Sequence, residues 1–234
     1  MSPLAPGSNR IKSLAELQKL AVQDLVLHLE HYDPSTTVIF SNDAVLCMED
    51  LLELIHQRKL HGADQTCAMD WTYVGDEPTF YDVWIARGMT GDLFFDIPAS
   101  GNWENAWNLF WDDQKGKSQW GNVRSFQVFA CWNGSQRSQR SHPWAEKIAF
   151  WARAENESFQ GEPSLFAKDM WFHGYGKISV IPSVNLGYSD DALAKIKTLK
   201  GFVSSHVVSK SDGILIDWEL QPPAKVKCIP NHAH

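Results

Sequence analysis

The stretch Thr37-Val38-Ile39-Phe40-Ser41-Asn42-Asp43, continuing into Ala44-Val45-Leu46-Cys47, decides how the rest of the chain is read. Thr, Val, Ile and Phe running into Asn-Asp read as a short strand buried in a parallel sheet. A strand covered on both faces shows no polar alternation. In open α/β sheets ligands gather beyond the carboxyl ends of the strands. An acid there, Asp43, can hold a divalent cation that neutralises a substrate diphosphate. Equally, Asn42 and Asp43 can form a plain strand-to-helix turn that caps the next segment.

The flanking segments extend this unit in both directions. Met48 to Lys59 places Leu51, Leu52, Leu54 and Ile55 on a helical period, with Glu49 and Asp50 in its first turn and Arg58 and Lys59 in its last. That charge order suits the helix dipole. His61-Gly62 closes the helix, and Gln65 to Met69 reads as a second strand ending in Asp70-Trp71. Strand, helix and strand make a βαβ unit in which both strands finish in an acid. Upstream, Ser13 fits an N-cap with Glu16 three residues on, ahead of Leu14, Leu17, Leu20, Ala21, Leu25 and Leu29. This amphipathic helix ends near His31, with Asp33-Pro34 as the break. Met1 to Asn9, rich in Pro, Gly and Ser, is expected to be loose.

Downstream, Phe80 to Ala86 is aromatic, and a salt bridge is the simplest account of Asp82 and Arg87. Gly88 to Gly121 predicts a long ordered excursion over one end of the sheet, the kind of loop that carries substrate contacts. Phe126 to Cys131 reads as a third strand leading into Trp132-Asn133-Gly134. The polar, basic Ser135 to His142 reads as a solvated loop. Gly161 to Phe172 predicts a helix with Leu165, Phe166 and Met170 inward and Gly174 as its stop. Glu162 and Asp169 project from a similar side of it, two turns apart. Lys177 to Ile181 is a fourth strand, followed by Pro182-Ser183-Val184-Asn185-Leu186, a Lys-rich helix after Asp190 and a strand at Ile214 to Trp218.

A chain of 234 residues, 44% hydrophobic and 21% charged, suits one α/β domain. Its net charge of -7 argues against a general nucleic-acid binder. The 11 tryptophans can stack on sugar faces or fill a core. Cys47, Cys67, Cys131 and Cys228 lack metal-type spacing and are too few for a disulfide scaffold, although one pair could bridge in an oxidising compartment. Asn133-Gly134-Ser135 and Asn156-Glu157-Ser158 are glycosylation triplets, which also arise by chance. No run is long and apolar enough to span a bilayer, and Met1 to Arg10 lacks a signal-peptide core. The sequence as it stands therefore reads as cytosolic.

Six motifs arrive in an order that resembles a known family. They are Phe40-Ser41-Asn42-Asp43, Cys67-Ala68-Met69-Asp70-Trp71, Phe80 through Arg87, Phe126 through Gly134, Gly161 through Trp171, and Ile181 through Leu186. From about Ile11 onward the chain resembles the fungal cryptococcal capsule-associated α-1,3-mannosyltransferases, glycosyltransferase family 69. The resemblance implies a GT-A-like (Rossmann-related) mixed α/β sheet flanked by helices. It implies an N-terminally truncated domain over residues 11–234, behind a disordered stretch at 1–10. It further implies mannose transfer from GDP-mannose to a mannose-containing glycan acceptor, with retention and with Mn²⁺ assistance.

On this resemblance the family's metal and diphosphate position falls on Asp43. Asp70, Glu162 and Asp169 are the catalytic carboxylates, and Asn42, Asp82, Arg87, Trp132 and Asn133 are the substrate contacts. Family members are membrane-anchored in the Golgi and secretory pathway, with the anchor and a first βαβ half upstream of the matching region. Their usual Arg-Asn pair falls on Gln18 and Lys19, two family cysteines fall on Pro163 and Ala167, and an apolar strand falls on the polar run Ser135 to His142. The alternative is a non-catalytic relative that binds sugar or a partner transferase. An unrelated metal-dependent α/β hydrolase is disfavoured, because no His accompanies Asp43 and Asp70 at ligand spacing. A partial sheet exposes an edge strand, so self-association through that edge is also expected.

Overall fold

The computed structural model describes residues 10–33, 35–41, 43–98, 100–132, 134–137, 150, 162–206 and 215–228. The chain opens with α1 (Arg10–Leu27), which a 3-10 turn, Leu29–His31, extends to the predicted end. Ser13 lies inside this helix rather than capping it, and Arg10 is already helical; Met1 to Asn9, expected to be loose, lie outside the described residues. Strand β1 (Thr37–Phe40), helix α2 (Met48–His61) and strand β2 (Gln65–Val74) follow. Helix α2 stops at Gly62, whose φ of 61° is left-handed, where glycine lacks the Cβ penalty. Next come β3 (Glu77–Phe80), α3 (Gln114–Gly121), β4 (Phe126–Gln127), β5 (Gly134–Arg137) and α4 (Glu162–Phe172). The described chain finishes with β6 (Ile178–Gly187), α5 (Asp190–Lys200), α6 (Val203–His206) and an extended tail.

The result is a mixed α/β fold, its sheet flanked by helices, in the strand order β1-β5-β2-β6-β4 with β3 also on β2. Its centre is the parallel pair β2 and β6, which sets Asp70 beside Leu186 and Trp71 beside Gly187. Every residue of β6 is buried, as expected for a strand covered on both faces.

Several expectations need correction. β1 does not lie within a parallel ladder. It pairs antiparallel with β5 at the end of the strand order, and Ile39 is exposed. β5 includes Ser135 to Arg137, expected as a solvated loop, and separates β1 from β2 while running antiparallel to both. The βαβ unit is therefore split by an inserted strand. β2 continues past Asp70 to Val74 and turns through Gly75, at φ 63°, into β3, so Asp70 is an interior strand residue. The described tail residues contain no strand where Ile214 to Trp218 was expected. Instead the Ile216 amide donates to His61 Nδ1, the Trp218 indole to the His61 carbonyl and the Glu219 amide to Gln127.

The core has two parts. The larger gathers Met69, Trp71, Phe80, Phe126, Phe166 and Trp171 together with Phe94, Phe95 and Phe110 of the excursion. Those three phenylalanines are almost fully buried, each contributing about 1.5–3 kcal/mol. The excursion is therefore part of the core as much as a cover. The smaller part packs Leu54, Ala68, Ile181, Val184, Leu186 and Val203. A disulfide, Cys67–Cys131, spans 6.1 Å between Cα atoms and ties β2 to the segment ahead of β5, while Cys47 and Cys228 are free thiols. Among the described residues no helix is long and apolar enough to cross a membrane.

Candidate active site

The site forms where three connections meet the end of the parallel pair. After β1 the chain crosses the sheet, and Val45 bridges Gly187 at the end of β6 through bonds of 2.7 and 3.3 Å. This bridge carries Asp43, which is exposed, toward Asp70 on β2. The close approach of the helix after β6 requires a bare backbone at Gly187, because a methyl there would meet the Leu193 amide at 2.6 Å. The β2–β3 hairpin then returns the chain, and the Tyr81 amide donates to the Asp70 carbonyl. Asp82 opens the short 3-10 turn after it. Glu162, the first residue of α4, supplies the last acid.

Asp70, Asp82 and Glu162 are all buried, at 1%, 7% and 6% exposure. The Asp82 carboxyl is pushed well above the ordinary carboxylate range, first by burial, then by the charge of Asp70 and a hydrogen bond with it, and then by Asp43 and Glu162. Asp43, Asp70 and Glu162 are thus all near enough to act electrostatically on Asp82. Burial beside a second carboxylate disfavours the charged form, which is why the Asp82 pKa is raised.

The remaining contacts orient these acids. The Tyr188 hydroxyl donates to Asp70 Oδ2 at 2.9 Å, and its ring lies 4.0 Å from that of Tyr81. Gln18 of α1 donates its amide to Glu162 Oε1 at 3.0 Å across 144 residues, in a buried setting. An N–H donor favours the ionised form of a carboxylate.

Of the residues predicted from sequence, Asp43, Asp70, Asp82 and Glu162 come together. Asp169 sits two turns along α4, only partly buried, and is not among the groups that shift Asp82. Arg87 does not pair with Asp82. Its guanidinium donates to the carbonyls of Lys227, Val83, Trp84 and Ala86 at 2.9–3.3 Å, and burial lowers its pKa to about 10. Arg87 is thus a structural tie between the 3-10 turn and the tail. Trp132 is 5% exposed and packs against Phe40 at 5.0 Å and Phe150 at 5.8 Å, which makes it a core residue rather than an open sugar platform. Asn42 and Asn133 lie outside the described residues, as do both glycosylation asparagines.

Sequence reasoning missed three contributors: Gln18, Tyr81 and Tyr188. Gln18 falls on the stripe Ala15, Gln18, Val22, Leu25, and a polar side chain on a buried helical stripe needs a partner. Tyr188 comes directly after β6, where the rule for strand carboxyl ends would have drawn attention to it.

The donors in the pocket are carboxylate oxygens with one phenol, a set suited to a hard divalent cation and to sugar hydroxyls. Among the described residues, a set of three donor atoms within 4.8 Å of one another occurs at His28, Glu30 and His31, and the acidic pocket is looser than that.

A cluster of acids at the end of the central parallel strands, in a mixed sheet flanked by helices, defines the class: a mixed α/β protein with carboxylates gathered at one end of its sheet. The chain belongs to the family described as Cryptococcal mannosyltransferase 1, whose sequence model matches residues 3–169. It is 33% identical over 237 residues to alpha-1,3-mannosyltransferase CMT1 of Cryptococcus neoformans var. neoformans serotype D (strain JEC21 / ATCC MYA-565). That match covers 95% of this chain and 50% of the relative, so the chain spans about half the relative's length. No solved structure matches.

Proposed function

We propose that this chain belongs to a retaining α-1,3-mannosyltransferase that moves mannose from GDP-mannose to a mannose-containing acceptor. The observation that carries the reading is the convergence of Asp43, Asp70, Asp82 and Glu162 on one pocket, in a chain of this family. The pocket fits a cation such as Mn²⁺ because its donors are oxygens and its crowded carboxylates favour positive charge. Asp43 would hold it, and its charge would offset that developing on the departing GDP.

The other roles belong to side chains. Asp82, whose pKa is raised by burial, hydrogen-bonds Asp70 and fixes its orientation. Asp70, oriented also by the Tyr188 hydroxyl, then presents negative charge to an oxocarbenium-like anomeric carbon. Glu162, oriented by Gln18, accepts the proton of the acceptor hydroxyl. The partly exposed Tyr81 ring, packed on Tyr188, offers a flat face to a sugar beside these acids. Asp169 has no step in this scheme. A buried Cys67–Cys131 bridge favours an oxidising compartment, which agrees with a secretory or Golgi location.

Isothermal titration of the chain with GDP-mannose, with and without Mn²⁺, tests this reading, followed by transfer of labelled mannose to an α-mannoside. Manganese-dependent binding that is lost in Asp43→Ala is expected. Binding unchanged in both Asp43→Ala and Asp70→Asn would refute the acidic pocket as the donor site. Binding without transfer would leave the non-catalytic, sugar-binding alternative.

A further inference from the structure

We propose that His28, Glu30 and His31 form a Zn²⁺ site at the junction between α1 and β1, separate from the acidic pocket. His28 Nδ1 and His31 Nε2 each lie 3.7 Å from Glu30 Oε1, and the three donor atoms fall within 4.8 Å of one another. Zinc bonds to imidazole and carboxylate are about 2.0–2.1 Å long, which puts tetrahedral donors about 3.3 Å apart. Rotation of these exposed side chains about their own bonds would close the set around an ion. The two imidazoles are stacked, with centroids 5.2 Å apart and planes 9° from parallel, so at least one ring must turn to bring its in-plane lone pair onto a shared ion.

The backbone under these donors is fixed. The His28 amide donates to the Asp24 carbonyl, His31 to His28, and Tyr32 to Leu29, at 2.9–3.2 Å. The Tyr32 hydroxyl ties the turn back to α1 through Asp24 Oδ2 at 2.7 Å. A donor set held by such a turn loses less freedom on binding than one on a loose loop. The site also lies at the carboxyl end of α1, where unpaired carbonyls favour a cation.

Left metal-free, the cluster is a solvated His–Glu surface group worth little to stability. Two imidazoles with one carboxylate select zinc over the magnesium and manganese that all-oxygen pockets prefer. Three protein ligands leave the fourth position to water. An ion here would lock the turn at residues 28–31 that follows α1.

The test is titration of the full chain with ZnCl₂ by calorimetry, with Co²⁺ as a spectroscopic probe of imidazole ligation. One equivalent is expected to bind, with an accompanying rise in melting temperature. Affinity should fall at least about tenfold in His31→Ala and in His28→Ala, losses at least as large as removal of an outer-shell partner gives. It should stay within about twofold in Asp43→Asn, the limit that separates these losses from no effect. Zinc binding unaffected by His28→Ala and His31→Ala, or abolished by Asp43→Asn, would overturn the assignment. The histidines are exposed, and an unchanged metal-free melt would establish that each variant folds.

Discussion

Replacing Lys197 with Met provides a quantitative test of how the site's frame is held. Lys197 of α5 contacts Asp50 of α2 at 2.6 Å, with side-chain exposures of 3% and 0%. Asp50 also accepts from the Cys47 amide at 3.0 Å and its thiol at 2.9 Å, fixing the start of α2 just after the segment that carries Asp43. In Lys197→Met the Asp50 carboxylate keeps those two donors and loses its counter-ion. Breaking one side of a buried pair costs about 3–5 kcal/mol, against about 0–1 for a surface pair. For a chain of this size each kcal/mol shifts the melting temperature by about 2–4 °C, so a drop of about 6–20 °C is expected. Asp50→Asn should cost a comparable amount, since it strands the ammonium near the Phe202 ring, 5.6 Å from its centroid. The double variant should recover part of the loss, with a coupling energy of about 1–3 kcal/mol. Urea unfolding of all four proteins, followed by tryptophan fluorescence, measures the cycle. A loss below about 1 kcal/mol in Lys197→Met, or strict additivity, would refute the reasoning. Alkylation of Cys47 provides an independent readout. Burial and then the hydrogen bond to Asp50 already raise its thiol, Lys197 lowers it, and removing the lysine should therefore slow the reaction.

The same geometry sets three further outcomes. Gln18→Leu removes a buried donor to Glu162 and should cost about 1.5–3 kcal/mol in thermal or urea unfolding, whereas Gln18→Glu, which adds like charge, should cost more. Replacing both Cys67 and Cys131 with Ala should cost about 4 kcal/mol by loop entropy across a separation of 64 residues; native-state reductant should have no effect, since the bridge is buried. Asp82 has a raised folded-state pKa, so the folded state binds the extra proton. Its contribution is greatest at acid pH and is lost as pH rises through that pKa. Asp82→Asn should therefore gain stability relative to the parent as pH rises from about 5 to 8, and a pH-independent difference in urea melts would contradict the raised pKa.

Much of the local structure was legible in the residues. The Leu51, Leu52, Leu54, Ile55 spacing and the charge order at its ends mark α2 within two residues, because helical hydrogen bonds are local and the buried face repeats along the sequence. Glu162 and Gly174 bracket α4 for the same reason. The acids at positions 43, 70 and 162 stood out as singular charges beside apolar runs. Strand partners were less legible. Gly134 to Arg137 has the composition of a loop, and it becomes a strand because β1 and β2 offer free backbone groups on both sides. Side-chain pattern cannot announce a ladder made by the main chain alone.

Sequence by itself determined the class of the chain, its family and the order in which the helices and acidic motifs arrive. These depend on residue identity and short-range periodicity. Only the tertiary structure decided which acids share a pocket. Asp82 faces Asp70 and Glu162 rather than Arg87, and Trp132 turns into the core toward Phe40 and Phe150. Those choices come from desolvation. Once the sheet closes, each buried charge must find a donor, a proton or a counter-ion within reach, and each large ring must find apolar neighbours. Which ones lie within reach depends on how the strands pair across the whole chain.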